Sequence, residues 1–155
     1  MLEIKFLNKE DIELLLELRM EVLSHVFSEK KKTLSSEEWE AIKQENKSFY
    51  QEQFMANKHV ALVAMEDGKI AACANICLYN EMPSPDNLKG RCAYLMNVYV
   101  REEFRRKGIA RKLCTKLIEI AKNRHVEKVY LESSDMGKPL YKSLGFKDMC
   151  GYMKL

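Results

Sequence analysis

Leu2, Ile4 and Phe6 alternate with Glu3 and Lys5, which is the period of a half-buried strand. From Asn8 the period changes to that of a helix. Ile12, Leu14, Leu15, Leu16, Leu18, Val22, Leu23 and Val26 supply an apolar face to about Phe27, with Asn8 placed to cap it and Asp11 three residues on. Glu29-Lys30-Lys31-Lys32 breaks this pattern. Ser35 or Ser36 then caps a second helix, with Glu37 and Glu38 in the first turn where the dipole favours anions, running past Trp39, Ile42, Phe49 and Tyr50 to about Met55. Val60 to Met65 is a buried-type strand, and Asp67-Gly68 turns it into Ile70 to Leu78, predicting a hairpin. Glu81 to Gly90, with Pro83 and Pro85, reads as loop.

The second half is organised around Tyr94 to Arg124. Tyr94 to Val100 is nearly continuous in apolar residues and stops at charge, as a strand covered on both faces does. After Arg101 to Lys107, a helix starts near Gly108: Ile109, Ala110, Leu113, Cys114, Leu117, Ile118 and Ala121 share one face, and charged residues take the other. A strand from Val126 to Ser133, a short helix between Met136 and Leu144 ending at Gly145, and a last strand from Lys147 to Leu155 complete the pattern. The order β-α-α-β-β-β-α-β-α-β predicts an α/β (α+β) class, mostly antiparallel at first, with one β-α-β crossover.

Composition narrows the function classes. The 155 residues, 46% hydrophobic, suffice for one domain over 1–155 with a real core, and no repeat or linker divides them. Lys and Arg number 26 against 23 Asp and Glu, so a net charge of +3 gives no general attraction to nucleic acid or membrane. Five cysteines, in no zinc or C-x-x-C spacing, predict a reducing, cytoplasmic setting and no metal. No stretch approaches the ~20 apolar residues of a membrane span.

One place does concentrate chemistry. The first N–H groups of a helix lack intrahelical partners and carry the positive end of the dipole, so the helix start at Gly108 is an anion site. Gly108 has no Cβ to block a phosphate, and Arg105, Arg106 and Lys107 add positive charge beside it. The ligand expected is a polyanion, most simply a pyrophosphate. Neither the P-loop nor the dinucleotide fingerprint occurs in the chain.

Val98-Tyr99-Val100 followed by Arg105-x-x-Gly108-x-Ala110 resembles the acetyl-coenzyme A motif of the GNAT superfamily of N-acetyltransferases, [QR]-x-x-G-x-[GA]. Leu140-Tyr141-Lys142-Ser143-Leu144-Gly145-Phe146 resembles that family's L-Y-x-x-x-G-F segment, in the expected order. The resemblance implies a GNAT-like mixed, mostly antiparallel central sheet with helices on both faces. It implies acetyl-coenzyme A as cosubstrate, its pyrophosphate on the amides between Arg106 and Ala110, Ile109 among them, and its pantetheine arm beside Val98 and Val100. It places Tyr141 as the general acid towards the departing thiolate and an N–H after Asn97 as oxyanion donor. Where many relatives carry a cofactor-contacting asparagine this chain has Ser134, and Gly137 stands where alanine is common. The acceptor implied is a primary amine, with the segment from Asn8 to Met55 and the loop from Glu81 to Gly90 on its side. Glu37, Glu38, Glu40 and Glu81 suit a small cationic amine. Homodimers are common among such proteins, but no residue here fixes an oligomeric state.

Each residue also has a plainer reading. Tyr141 could be a core aromatic, Asn97 a satisfied amide in place of the one polar side chain of its strand that orients a water or the substrate, Glu81 and Glu132 solvated carboxylates in place of bases, and the cluster from Arg105 to Lys112 an exposed helix face. A peptide N-terminus or lysine is the alternative acceptor. Two rival classes remain, a nucleic-acid-binding module using the basic helix start and a cofactor-binding regulator without catalysis.

Overall fold

In the computed structural model, which describes residues 1–155, the strands form one five-stranded sheet in the order β1-β2-β3-β4-β5. They are β1 (Leu2–Leu7), β2 (His59–Glu66), β3 (Lys69–Asn80), β4 (Arg91–Val100) and β5 (Lys128–Leu131). The first four pair antiparallel, and β5 is parallel to β4. The helices are α1 (Ile12–Val26), α2 (Ser28–Lys31), α3 (Ser36–Met55), α4 (Ile109–Asn123) and α5 (Lys138–Ser143). A parallel neighbour requires a crossover, and α4 supplies it between β4 and β5.

Local chemistry sets these boundaries. Asn8 and Asp11 form a reciprocal capping box that leads through a 3-10 turn into α1. Ser35 and Glu38 do the same for α3, Glu38 N–H donating to Ser35 Oγ at 3.1 Å and Ser35 N–H to Glu38 Oε2 at 2.7 Å. The β2–β3 hairpin turns on Asp67 and Gly68, both at positive φ, as the Asp-Gly pair predicts.

Alternation within the strands divides the core in two. Val60, Leu62 and Ala64 of β2 face α4, where they meet Leu113, Cys114 and Leu117; Ala61 and Val63 face α1, where they meet Leu15, Leu16 and Leu18. The sheet is thus covered on both faces, and each fully buried Leu is worth roughly 1.5–3 kcal/mol.

Three expectations need correction. The Glu29 to Lys32 break is bridged by the one-turn helix α2, set apart from α1 by the non-helical Phe27. β5 is confined to Lys128–Leu131, shorter than Val126 to Ser133, because its pairing with β4 stops there. Lys147 to Leu155 forms no strand, so the final β of the expected order is absent. Asp148 is drawn to α5 by Lys138 at 2.9 Å and Lys142 at 3.3 Å, Gly151 turns at φ +86°, and the apolar side chains beyond it stay exposed.

Candidate active site

β4 leaves its neighbours at a bulge. Asn75 pairs with Met96 and Cys73 with Tyr99, so Asn97 and Val98 together oppose the single residue Ala74. Asn97 takes φ +57°, a left-handed conformation that asparagine tolerates better than most side chains. A bulge bends its strand and strengthens the twist. On the other edge, the last rung between β4 and β5 joins Leu95 to Leu131. From Met96 to Val100 the edge of β4 towards β5 is unpaired, and a seam opens in the sheet.

The seam leads to the head of α4. Gly108 caps that helix at φ +73° and ψ +14°, and a Cβ placed there would meet nothing within 4 Å. The first backbone bond into the helix is from Lys112 N–H to Gly108 O, at 3.2 Å. The N–H groups from Arg106 to Arg111 have no acceptor in the protein, so this corner is a fan of unspent donors. Its side chains are more committed than the sequence suggests. Arg105 Nε donates to Val100 O at 3.0 Å, and Lys107 Nζ reaches Glu66 Oε2 at 2.6 Å. Arg111 bonds Ser143 Oγ and so joins α4 to α5. Arg106, at φ +62°, makes no side-chain bond and is a cation left free beside the amides. Ile109 and Ala110 contribute backbone here, the Ile109 side chain being core.

Val98, Val100 and Tyr141 all pack against the core beneath α4. Tyr141 is half-buried, edge-on to Phe146 with 6.0 Å between ring centroids, and its hydroxyl has no hydrogen-bond partner in the protein. Burial, with Cys114 nearby, pushes its pKa up to about 12, so the phenol stays protonated and able to donate. Ser134 is exposed, and its Oγ accepts from Gly137 N–H at 3.2 Å, capping the turn into α5. Gly137 is tightly placed: a Cβ there would lie 3.0 Å from the Tyr141 ring.

Asn97 points the other way. Arg19 Nη1 donates to its Oδ1 at 3.0 Å, and Arg19 Nε donates to Asn46 Oδ1 at 3.0 Å. These groups, with Tyr50, His59 and Asn75, line a cavity of about 180 Å³ under α1 and α3, which Met96 also borders. The seam therefore lies between two faces, Tyr141 and the free amides on one and this cavity on the other. Inside the cavity Asn75 Nδ2 donates to His59 Nε2 at 2.9 Å, leaving the His59 Nδ1 proton directed at Cys77 Sγ, 3.2 Å away. Burial pulls the His59 pKa down to about 4, so the ring is neutral.

Arg19, Asn75 and His59 were not among the residues singled out from sequence. The signal was present. Arg19 sits four residues after Leu15 and four before Leu23, on the stripe that α1 buries, and Asn75 interrupts the apolar run of β3. Of the two segments expected on the acceptor side, α1 and α3 line this cavity. The Glu81 to Gly90 loop does not, because it adjoins the start of β4, at the opposite end from the seam. There Glu81 accepts from Asn87 Nδ2 at 3.0 Å and pairs with Lys128 at 3.6 Å, contacts that lower its pKa. Glu37, Glu38 and Glu40 are exposed; Glu38 is spent on the capping box and Glu40 on Gln44.

A family model for the acetyltransferase (GNAT) family matches residues 21–146. Over 64 residues the chain is 38% identical to the thialysine N-epsilon-acetyltransferase of Bos taurus, a match covering 39% of this chain and 38% of that protein. A predicted acetyltransferase from Clostridium acetobutylicum, solved with acetyl-CoA, superposes with a TM-score of 0.86 at 28% identity, over 100% of this chain and 96% of the other. A GCN5-related N-acetyltransferase from Ralstonia eutropha JMP134 has the same fold, with a TM-score of 0.82 at 19% identity, over 100% and 98% of the two chains.

Proposed function

This chain belongs to the acetyltransferase (GNAT) family, and from that premise we propose that it transfers an acetyl group from acetyl-coenzyme A to the primary amine of a small molecule, acting as one domain. The observation that carries the reading is the run of unbonded amides from Arg106 to Arg111 beside the unpaired edge of β4. A diphosphate satisfies the first and a chain of amide groups satisfies the second. The fit is chemical as well as spatial, since Gly108 leaves the approach open.

Bound acetyl-coenzyme A would supply an acyl group activated as a thioester. The amides from Arg106 to Arg111, with Arg106, would hold the diphosphate, and Val98 and Val100 the pantetheine arm. The Ser134 hydroxyl, already accepting one bond, keeps its proton and a second lone pair for the cofactor. A backbone N–H after Asn97 would donate to the carbonyl oxygen as charge develops there. As the acceptor nitrogen forms its bond to the carbonyl carbon and the carbon–sulfur bond breaks, Tyr141 would give its proton to sulfur, and the proton that the nitrogen sheds on becoming an amide would pass through solvent and restore the phenol. The thiol formed has a pKa of about 8.5, below that of the buried phenol, so the proton would move uphill between the separate groups and its transfer must be coupled to the breaking of the carbon–sulfur bond. The amine must attack uncharged, from the cavity side of the seam. A relative named for acetylating the ε-amine of thialysine is in keeping with an alkyl amine acceptor. The five free cysteines are in keeping with a reducing compartment such as the cytoplasm, and no helix is long and apolar enough to cross a membrane.

Thermal unfolding with acetyl-coenzyme A, adenosine diphosphate and duplex DNA in parallel tests this. Acetyl-coenzyme A should raise the midpoint once it exceeds its dissociation constant, and adenosine diphosphate should raise it less. Stabilisation by DNA alone would replace the enzyme with a nucleic-acid module. Stabilisation by the thioester without acetyl transfer to any amine would leave a cofactor-binding regulator.

A further inference from the structure

The cavity under α1 and α3 holds one cation and no carboxylate. Arg19 is half-buried, and both groups it bonds, Asn46 and Asn97, are neutral amides. Of the carboxylates on its helix, Glu21 is committed to Arg101 at 2.7 and 3.0 Å and Glu13 to Lys47 at 3.8 Å, while Glu17 is exposed and lies outside the cavity lining. None of the protein's ion pairs includes Arg19. His59 does not neutralise it, being an uncharged ring held by Asn75.

A guanidinium withdrawn from water without a counter-ion is costly, and an incoming anion relieves that cost. The two amides fix the plane of the fork and leave the rest of its N–H edge uncommitted, in the geometry that suits a carboxylate or phosphate. Because Arg19 and Asn97 touch, an anion on Arg19 lies one contact away from the residue at which β4 bulges. An amine on the same molecule could then enter the seam.

We propose that the acceptor is a compact amine that also carries a carboxylate or phosphate, and that Arg19 binds this anionic group. The proposal rests on the acetyl-transfer reading. It adds an anionic group to the small cationic amine expected from sequence, because Glu37, Glu38, Glu40 and Glu81 do not line the cavity.

The experiment compares acetylation of two matched pairs, lysine with cadaverine and glucosamine 6-phosphate with glucosamine, by the wild-type protein and by Arg19→Gln and Arg19→Lys. In at least one pair the anionic member should be favoured about 10-fold or more in kcat/KM, as a charge-assisted bond allows. The pair that responds identifies carboxylate or phosphate. Arg19→Gln should erase the preference by raising KM for the anionic member alone, and Arg19→Lys should restore part of it. Preference for the non-anionic member in both pairs overturns the proposal. So does an Arg19→Gln variant that slows both members equally, since that marks Arg19 as only a support for the bulge. Thermal stabilisation by acetyl-coenzyme A, measured on the same samples, separates the two readings: if it persists while no anionic amine is acetylated, the substrate proposal alone fails.

Discussion

Leu95 faces Leu131 across the last rung that joins β4 to β5, and two residues later Asn97 enters the left-handed region. The loss of pairing on one edge and the bulge on the other are adjacent because a bent strand cannot keep register with a straight parallel neighbour. Asn97 should therefore be sensitive to backbone preference more than to chemistry. Asn97→Gly keeps φ +57° accessible and should preserve acetyl-coenzyme A affinity. Asn97→Val should cost about 1–3 kcal/mol in urea unfolding and weaken cofactor binding. Equal stability of the two variants would show that the bulge does not depend on this residue.

Gly108 makes a second backbone test. Its Cβ position is open, so Gly108→Ala meets no side chain and its cost is the strain of φ +73° alone. That strain is about 1–2 kcal/mol, a fall of a few degrees in Tm. The added methyl lies by the free amides, so the dissociation constant for acetyl-coenzyme A should rise beyond what the stability loss explains. Calorimetric titration below the unfolding range separates the two effects.

Tyr141→Phe removes one oxygen and leaves the ring against Phe146. If the hydroxyl is the proton donor, kcat should fall on the order of 10²-fold with cofactor affinity nearly unchanged. With its pKa pushed up to about 12, the phenol remains protonated throughout the neutral range, so it should impose no alkaline fall in kcat there. A variant with undiminished kcat would return Tyr141 to a packing role.

Much of this architecture was legible because it is written in local period. The stripe of α4, the alternating faces of β2 and the capping residues Asn8 and Ser35 each depend on neighbours within a few residues. The free amides at Gly108 were legible for the same reason. The seam was not, since it depends on where β4 and β5 stop pairing, a property of two strands and a bulge together. The cavity was missed because its key contact joins Arg19 to Asn97, 78 residues apart, and a helical period shows that Arg19 lies on a buried stripe without naming what it meets. The tail misled because its scattered apolar residues resemble a strand, while the chain turns at Gly151 and meets β5 through the Tyr152 ring, 6.5 Å from that of Tyr130, without pairing to it.

His59 gives the last prediction, and its sign follows from burial. The ring lies among Phe49, Tyr50 and Phe54 and is bonded to Asn75 and Cys77, with no carboxylate beside it, so only the neutral form is accommodated. Its pKa falls from 6.5 to about 4 on folding. Between those values the unfolded chain binds more protons than the folded one, so stability rises with pH in this window. The penalty is absent above about pH 6.5, grows as pH falls and is complete below about pH 4, reaching up to roughly 3 kcal/mol. Carboxylates titrate in part of the same range, which makes the wild-type curve alone uninformative. His59→Gln removes only the histidine contribution. It should be less stable than wild type at pH 7 through lost packing, and the gap in urea unfolding free energy should shrink, or change sign, as the pH is lowered to 4. A gap that stays constant would mean that His59 takes up its proton in the folded protein as readily as in the unfolded chain, and that the cavity is wetter and more polar than its lining implies.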